Sequence, residues 1–342
     1  MTTSRNPSTR GTLYCVLSSA AYTLYYVCLR DVSDKNDPAW INCVQASVGA
    51  AVFGLYLVYQ SARGHRALPP WKELLALAAV GFITQVGGVL LIWAMSVIGV
   101  GITSTLQTGM MLAASAVLGL AVLGERVTWK QVGAILLITV SVIFFSMESP
   151  PAAESGTGQP HQPAQARFVD GVAAPDQGNP PNDAATTRIL GIAAAILAGV
   201  AFAILTVGTR KAVTSATSPE AVVFLINAMA MIVFGPWCVY RLGIEKLLAT
   251  SAQHLGLMLG AGVFNLAGFL LITMSLQLIT VVRVNVISNA FTTALTVAAG
   301  IVLFQETCNS NVAIAFLLSG AGILLISVAS SPQEASSRAG DA

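Results

Sequence analysis

Charge is the scarcest ingredient of this sequence. Of its 342 residues only 9% are Asp, Glu, Lys or Arg, where a soluble domain usually carries about 25%. The hydrophobic share is 55% and the mean hydropathy is +0.74. In water a chain this short could not bury so much apolar surface, so the composition is that of an integral membrane protein. The net charge of +2, with no Lys/Arg-rich run, excludes nucleic acid as a partner.

Catalytic and metal chemistry are equally sparse. The three histidines, His65, His161 and His254, fall in loops or at a helix end. No P-loop and no HExxH is present, and "GVGITS" and "GAGVFN" lack the third glycine and the strand context of a dinucleotide site. The five cysteines form no CxxC and read as small apolar packing residues. No enzyme activity, metal or cofactor is expected.

What the sequence does have is long apolar runs. A helix needs about 20 apolar residues to cross a bilayer. Ten stretches qualify: 12–30, 40–60, 73–97, 101–123, 130–147, 188–209, 220–240, 254–278, 283–304 and 311–329. They lack the alternation of barrel strands, so an all-α fold is expected. The first run is too long for the apolar region of a signal peptide and has no small-x-small site, so it reads as an uncleaved span. Residues 148–187, rich in Pro, Gly, Ala and Gln, read as a disordered linker, and 331–342 as a disordered tail.

The linker separates two halves, 1–147 and 188–330, that repeat each other. Shifted by 181 residues, Pro38 meets Pro219, "VFG" at 52–54 meets "VFG" at 233–235, and Gly81, Gly87 and Gly119 meet Gly262, Gly268 and Gly300. A shift of 180 puts Gly11 on Gly191 and Arg30 on Arg210. A register held this long is a repeat. Five spans is an odd number, so the second half enters the bilayer from the opposite side. The expectation is ten transmembrane helices as two inverted five-helix repeats. With the N-terminus inside, 11 of the 17 Lys and Arg lie on the inner side, which places both termini in the cytoplasm and the linker outside.

The cores of the ten spans contain no Asp, Glu, Lys, Arg or His; Arg30, Arg210 and Arg283 lie at span ends. A buried-carboxylate pump and a midplane phosphate clamp are therefore disfavoured. Uncharged polar groups carry more. In the ninth span Asn285, Ser288, Asn289, Thr292, Thr293 and Thr296 fall within an arc of roughly 140° at 100° per residue. Their register partners in the fourth span begin Ser104, Gln107, Thr108 and then turn apolar. The first span gathers Ser18, Ser19, Tyr22, Thr23, Tyr25 and Tyr26. Single Ser or Thr groups are explained by helix packing, but six on one face fit a water-filled cavity better. Tyr25, Tyr26, Trp40 and Trp71 suit an interfacial belt, whereas Tyr22 is deeper. Glu125 and Glu306 open short turns, where a carboxylate caps the next helix.

Ten spans, two five-helix halves and "LGERVTWKQVGAILLITVSVIFF" resemble the drug/metabolite transporter superfamily in its EamA-like branch. The resemblance implies a carrier working by alternating access, with a cavity formed mainly by spans 1–4 and 6–9 and with spans 5 and 10 outside. The expected function is a secondary transporter that exports a small neutral or zwitterionic, amino-acid-like solute; the alternative is a non-transporting scaffold or sensor subunit. Tyr22, Ser104, Gln107, Thr108, Asn285, Ser288, Asn289 and Thr292 are the expected solute-binding residues. The expected partners are the lipid bilayer of an inner or plasma membrane, the solute, and a second copy through "GLMLG" at 256–260, a GxxxG match.

Overall fold

The computed structural model describes residues 7–30, 32–33, 35–64, 68–98, 100–124, 129–146, 180–215, 217–304 and, beyond these, 314, 317–318, 320–322 and 325. Regular structure among them is helical: α1 (Pro7–Arg30), α2 (Pro38–Ala62), α3 (Trp71–Ile98), α4 (Val100–Leu123), α5 (Trp129–Ser146), α6 (Pro180–Thr214), α7 (Pro219–Leu242), α8 (Ile244–Leu248), α9 (Ala252–Leu276) and α10 (Val281–Phe304). Seven of the described helices are long and apolar enough to cross a membrane. Most of the tenth expected span, Glu125, Glu306, most of the linker and the tail 331–342 lie outside the described residues.

Two details differ from expectation. The sixth helix reaches back to Pro180, into the stretch read as linker. Proline at a helix start forfeits no hydrogen bond, and the Asp183 that follows suits the positive end of the helix. The five-residue α8 was not foreseen. It follows Gly243, whose φ of 77° ends α7 in a conformation that favours glycine.

The repeat is visible in how the helices begin. Asp37 caps α2, its carboxylate accepting from the Ala39 amide at 2.9 Å, with Pro38 as the first helical residue. Its counterpart at +181, Ser218, caps α7 by accepting from the Ala221 amide at 3.3 Å, with Pro219 following. In both cases a side-chain oxygen serves an amide the helix cannot, and proline supplies a preset φ.

The repeat is equally visible in how the halves interlock. α1 lies antiparallel to α9: Gly11 sits against Leu278 and Ile279 at one end, and Cys28 approaches Gly260 at the other. α6 lies antiparallel to α3 in the same register: Gly191 sits against Val97 and Ile98, and Gly208 against Val80. Val97 and Ile98 are the counterparts of Leu278 and Ile279. Likewise Gly262 rests on Gln45 and Val48, and Gly81 rests on their counterparts Ile226 and Met229. α2 runs antiparallel to its own counterpart α7, with Gly49 against Asn227 and Gly235 near Cys43. A twofold axis across the helices accounts for these pairs. Each half therefore buries its helices against the other rather than on itself.

The two ends of the bundle differ. At the end where α1 begins, called proximal here, one apolar cluster joins α1, α2, α3, α4, α6, α7, α9 and α10; Leu112, Val223, Leu276 and Ile287 are nearly inaccessible within it. Toward the distal end the core splits into three separate clusters. The outer face is apolar: Leu55 is 74% and Val302 75% exposed, a surface suited to lipid. Gly256 faces open space, while Gly260 faces Cys28 within the chain.

Candidate functional site

The polar groups of the ninth expected span lie on α10, where they divide by depth. Asn285 and Ser288 are buried, at 3% and 4% exposure, inside the proximal seal. Asn289, Thr292, Thr293 and Thr296 are half-buried, as are Phe291, Ala294 and Leu295 between them. Asn289 donates to the Asn285 carbonyl at 2.7 Å, a bond within its own helix. The Asn285 Nδ2 and the Thr296 hydroxyl have no hydrogen-bond partner, which is costly for buried groups unless something else meets them.

α1 covers the proximal part of this stripe. The Ser19 hydroxyl donates to the Ser288 carbonyl at 2.9 Å and to the Cys15 carbonyl at 2.8 Å. Ser18 reaches the other neighbour, donating to the Gly268 carbonyl at 2.9 Å. The Cys15 thiol and Ser275 hydroxyl lie 3.1 Å apart, and Ser275 donates to the Gly11 carbonyl. Tyr22 lies over Gly268, where a Cβ would meet its ring at 3.0 Å. It continues into an edge-to-face contact with Tyr25, which leans on Tyr26 with centroids 5.1 Å apart. A row of hydroxyls and aromatic rings thus runs along α1 between α9 and α10.

On α4, Gln107 and Thr108 are buried; Thr108 donates to the Gln107 Oε1 at 3.5 Å, and the Gln107 amide turns toward the Met111 sulfur. The backbone carbonyl of Gln107 abuts Gly199 of α6, where a Cβ would stand only 2.6 Å away. This is the register equivalent of Ser19 on Ser288. The side chain of Ser104 lies outside what is described. The structure thus groups Tyr22 with the α10 residues around α1, and Gln107 and Thr108 against α6; among the described residues no hydrogen bond joins the two groups.

Other isolated polar groups are structural. Asn42 of α2 donates to the Gln85 Oε1, and the Gln85 amide donates to the Ile226 carbonyl of α7, each at 2.9 Å. Asn227 donates to the Val223 carbonyl within α7. Among the described residues no group of three His, Cys, Asp or Glu could hold a metal. The sequence reading missed Ser275 and the enclosure of the Arg283 Nε and Nη1 in a half-buried side chain. For Arg283 the signal was there: in "VVRVNV" the arginine has apolar neighbours on both sides.

A bundle of apolar helices from two like halves, interlocked about a twofold axis and lined at one seam by hydroxyls and amides, defines the class: a multi-pass integral membrane protein of two repeats. Comparison with known families gives the same result. The sequence model of the EamA-like transporter family matches residues 9–147 and 189–328, and the chain belongs to that family. No curated protein matches it in sequence. A solved crystal structure, described only as that of a protein, superposes with a TM-score of 0.66 at 15% identity, covering 94% of this chain and 97% of that one. At that identity the likeness concerns the fold.

Proposed function

We propose that the protein is a secondary transporter that carries a small, amino-acid-like solute across the membrane by alternating access, in the direction of export. The observation that carries this reading is the seam where α1 meets α10. There a continuous row of hydroxyl, amide and aromatic groups passes from the buried Asn285 and Ser288 to the half-buried Asn289 and Thr292. A static scaffold has no need of such a row, and the family is one of transporters.

The mechanism follows from the interlock. Ten spans in two inverted halves, with the proximal end cytoplasmic, give two seams of equal geometry that can open in turn as one half rocks on the other. One large apolar cluster at the proximal end and three smaller ones toward the distal end support a tighter proximal closure. Tyr22 forms an aromatic wall. Asn285, Ser288, Asn289 and Thr292 offer hydrogen bonds from one half, and Ser104, Gln107 and Thr108 from the other. The glycines at the seams let backbones slide at close range.

The test is a thermal-shift screen of the purified protein against metabolites, followed by counterflow in liposomes. Saturable stabilisation and counterflow by the same solute are expected. A purified, folded protein that neither responds to any solute nor supports counterflow would overturn transport in favour of a scaffold or sensor.

A further inference from the structure

Where α2 crosses its counterpart α7, sulfur atoms from the two halves come together. Cys43 of α2 is buried, and its thiol points at the Met231 sulfur of α7 across 3.6 Å. The same thiol lies over Gly235, 4.0 Å from where a Cβ would stand. Cys238, also buried, follows on the same face of α7. Met231, Gly235 and Cys238 leave the helix axis within about 60° of one another. The thiols of Cys43 and Cys238 are near enough to feel each other's charge. Cys43 thus sits over the glycine, with a thioether about one turn to one side and a second thiol about one turn to the other.

Packing does not require this set. At the twofold-related crossing Phe224 stands for Cys43 and Gly54 for Gly235, and a Cβ on Gly54 would meet the Phe224 ring at 3.1 Å. Ala50 and Leu57 stand there for Met231 and Cys238. Hydrocarbon alone therefore closes that crossing, and the sulfur belongs to one copy. Hydroxyls elsewhere in the bundle turn back on their own helix: Thr84, Thr206 and Thr273 each donate to the carbonyl four residues earlier. The Cys43 thiol turns across the seam instead. α7 is also interrupted at this point. Pro236 lies inside the helix between Met231 and Cys238, where the first half has Leu55. A proline there removes a backbone hydrogen bond and lets the helix bend, so the two α7 sulfurs can adjust to a shared guest.

Independently of the transport reading, we propose that Cys43, Met231 and Cys238 form a binding site for a soft monovalent cation of the Cu(I) type, which clamps α2 of one half to α7 of the other. Thiolate and thioether are soft donors and select such ions over harder ones. With a metal–sulfur bond of about 2.3 Å, three sulfurs around one ion stand about 4 Å apart. The 3.6 Å between Cys43 and Met231 is close to that spacing. One incoming Cu(I) replaces one thiol proton, which leaves for water, so the loaded site carries no net charge, as a site within a bilayer requires. Water is close: Cys43 lies about 9 Å along α2 from its Asp37 cap at the distal end.

The test uses the full-length protein, purified under reductant, as wild type, Cys43→Ser, Cys238→Ser and Met231→Leu. The probes are Cu(I) held by a chromophoric chelator with ascorbate, Ag(I) in chloride-free buffer, and Zn(II). The wild type should withdraw one equivalent more of Cu(I) from the chelator than either serine variant does. Ag(I) should raise the melting temperature of the wild type and not of the serine variants, and Zn(II) should raise neither. Met231→Leu keeps the volume and both thiols, and should bind Cu(I) more weakly by at least about tenfold, the loss that even an outer partner of a metal ligand brings. Uptake in a serine variant equal to that of the wild type would overturn the site. So would an equal melting shift with Zn(II), or wild-type affinity in Met231→Leu, which carries the test if a serine variant does not fold. A reduced protein that takes up no Cu(I) but forms a Cys43–Cys238 disulfide in air would overturn it in favour of a redox pair. Each outcome leaves the transport reading standing.

Discussion

The seam between α1 and α9 and the seam between α3 and α6 occupy equivalent positions about the twofold axis, yet one is polar and the other dry. Cys15 and Ser275 touch in the first; their counterparts in the second are Ala195 and Ala94, both fully buried in an apolar cluster. Ser18 corresponds to Ala198, Ser19 to Gly199 and Tyr22 to Phe202. The glycines are kept on both sides: Gly268 under Tyr22, Gly87 against Ala201. The backbone geometry of a membrane seam thus depends on where small residues sit, and that is what both copies preserve. The chemistry of the seam is a separate variable, and only one copy carries the polar version.

The comparison can be broken or sharpened by substitution. The largest effect is expected beside the dry seam, where α6 packs on α4. In Gly199→Leu a Cβ would lie 2.6 Å from the Gln107 carbonyl, a backbone atom that cannot rotate away. Overpacking should cost about 3 kcal/mol or more, read as loss of the monodisperse protein peak. Normal yield and melting would show that the contact of α6 with α4 is looser than described. Next is Asn289→Leu. Among the described residues its side chain bonds only within its own helix, so melting should change little while counterflow falls by about tenfold, the ~1.4 kcal/mol of one well-placed contact. Wild-type counterflow would remove Asn289 from the path.

A smaller effect should come from making the polar seam dry. Ser275→Ala removes the side-chain bonds to the Gly11 carbonyl and the Cys15 thiol and should cost about 1 kcal/mol. Adding Cys15→Ala, which recreates the Ala195–Ala94 pair, should cost little more, so the double variant is milder than the sum of the singles. Strict additivity in a chemical or thermal melt would show that the two residues are not coupled. The smallest effect on stability is Tyr22→Phe, the residue found at the equivalent Phe202. Burial of the ring over Gly268 is kept, and the change in melting should stay within about 0.5 kcal/mol. A large drop would mean that the hydroxyl is structural.

Much of this frame could be read from residues alone. The apolar runs mark the helices, and the shared shift of 181 already aligns Pro38 with Pro219 and Gly81 and Gly87 with Gly262 and Gly268, the positions that prove to be caps and close approaches. These are local or periodic signals, which a single sequence displays. What stayed hidden depends on which helix meets which. Asn42 and Gln85 are isolated polar residues in the sequence, and only the packing of α2, α3 and α7 joins them to each other and to the Ile226 carbonyl. Arg283 was read as a residue at a span end, because hydropathy does not show that α1 and α9 close over a first helical turn. The period of about 3.6 gathers the polar residues of α10 into one arc. How its members divide into a sealed and a half-open part is set by α1, a partner more than 260 residues away in the chain.

The central claim, that the polar seam is a solute path and its dry twin is packing, is tested most directly by thiol accessibility. In a cysteine-free background, Thr292→Cys on α10 and Ala198→Cys in the dry seam are exposed to a membrane-impermeant thiol reagent from each face in turn. The account predicts that Thr292→Cys is labelled and is protected by the solute that stabilises the protein, while Ala198→Cys is inert from both faces. Equal labelling of the two positions, or labelling of Ala198→Cys alone, would contradict it.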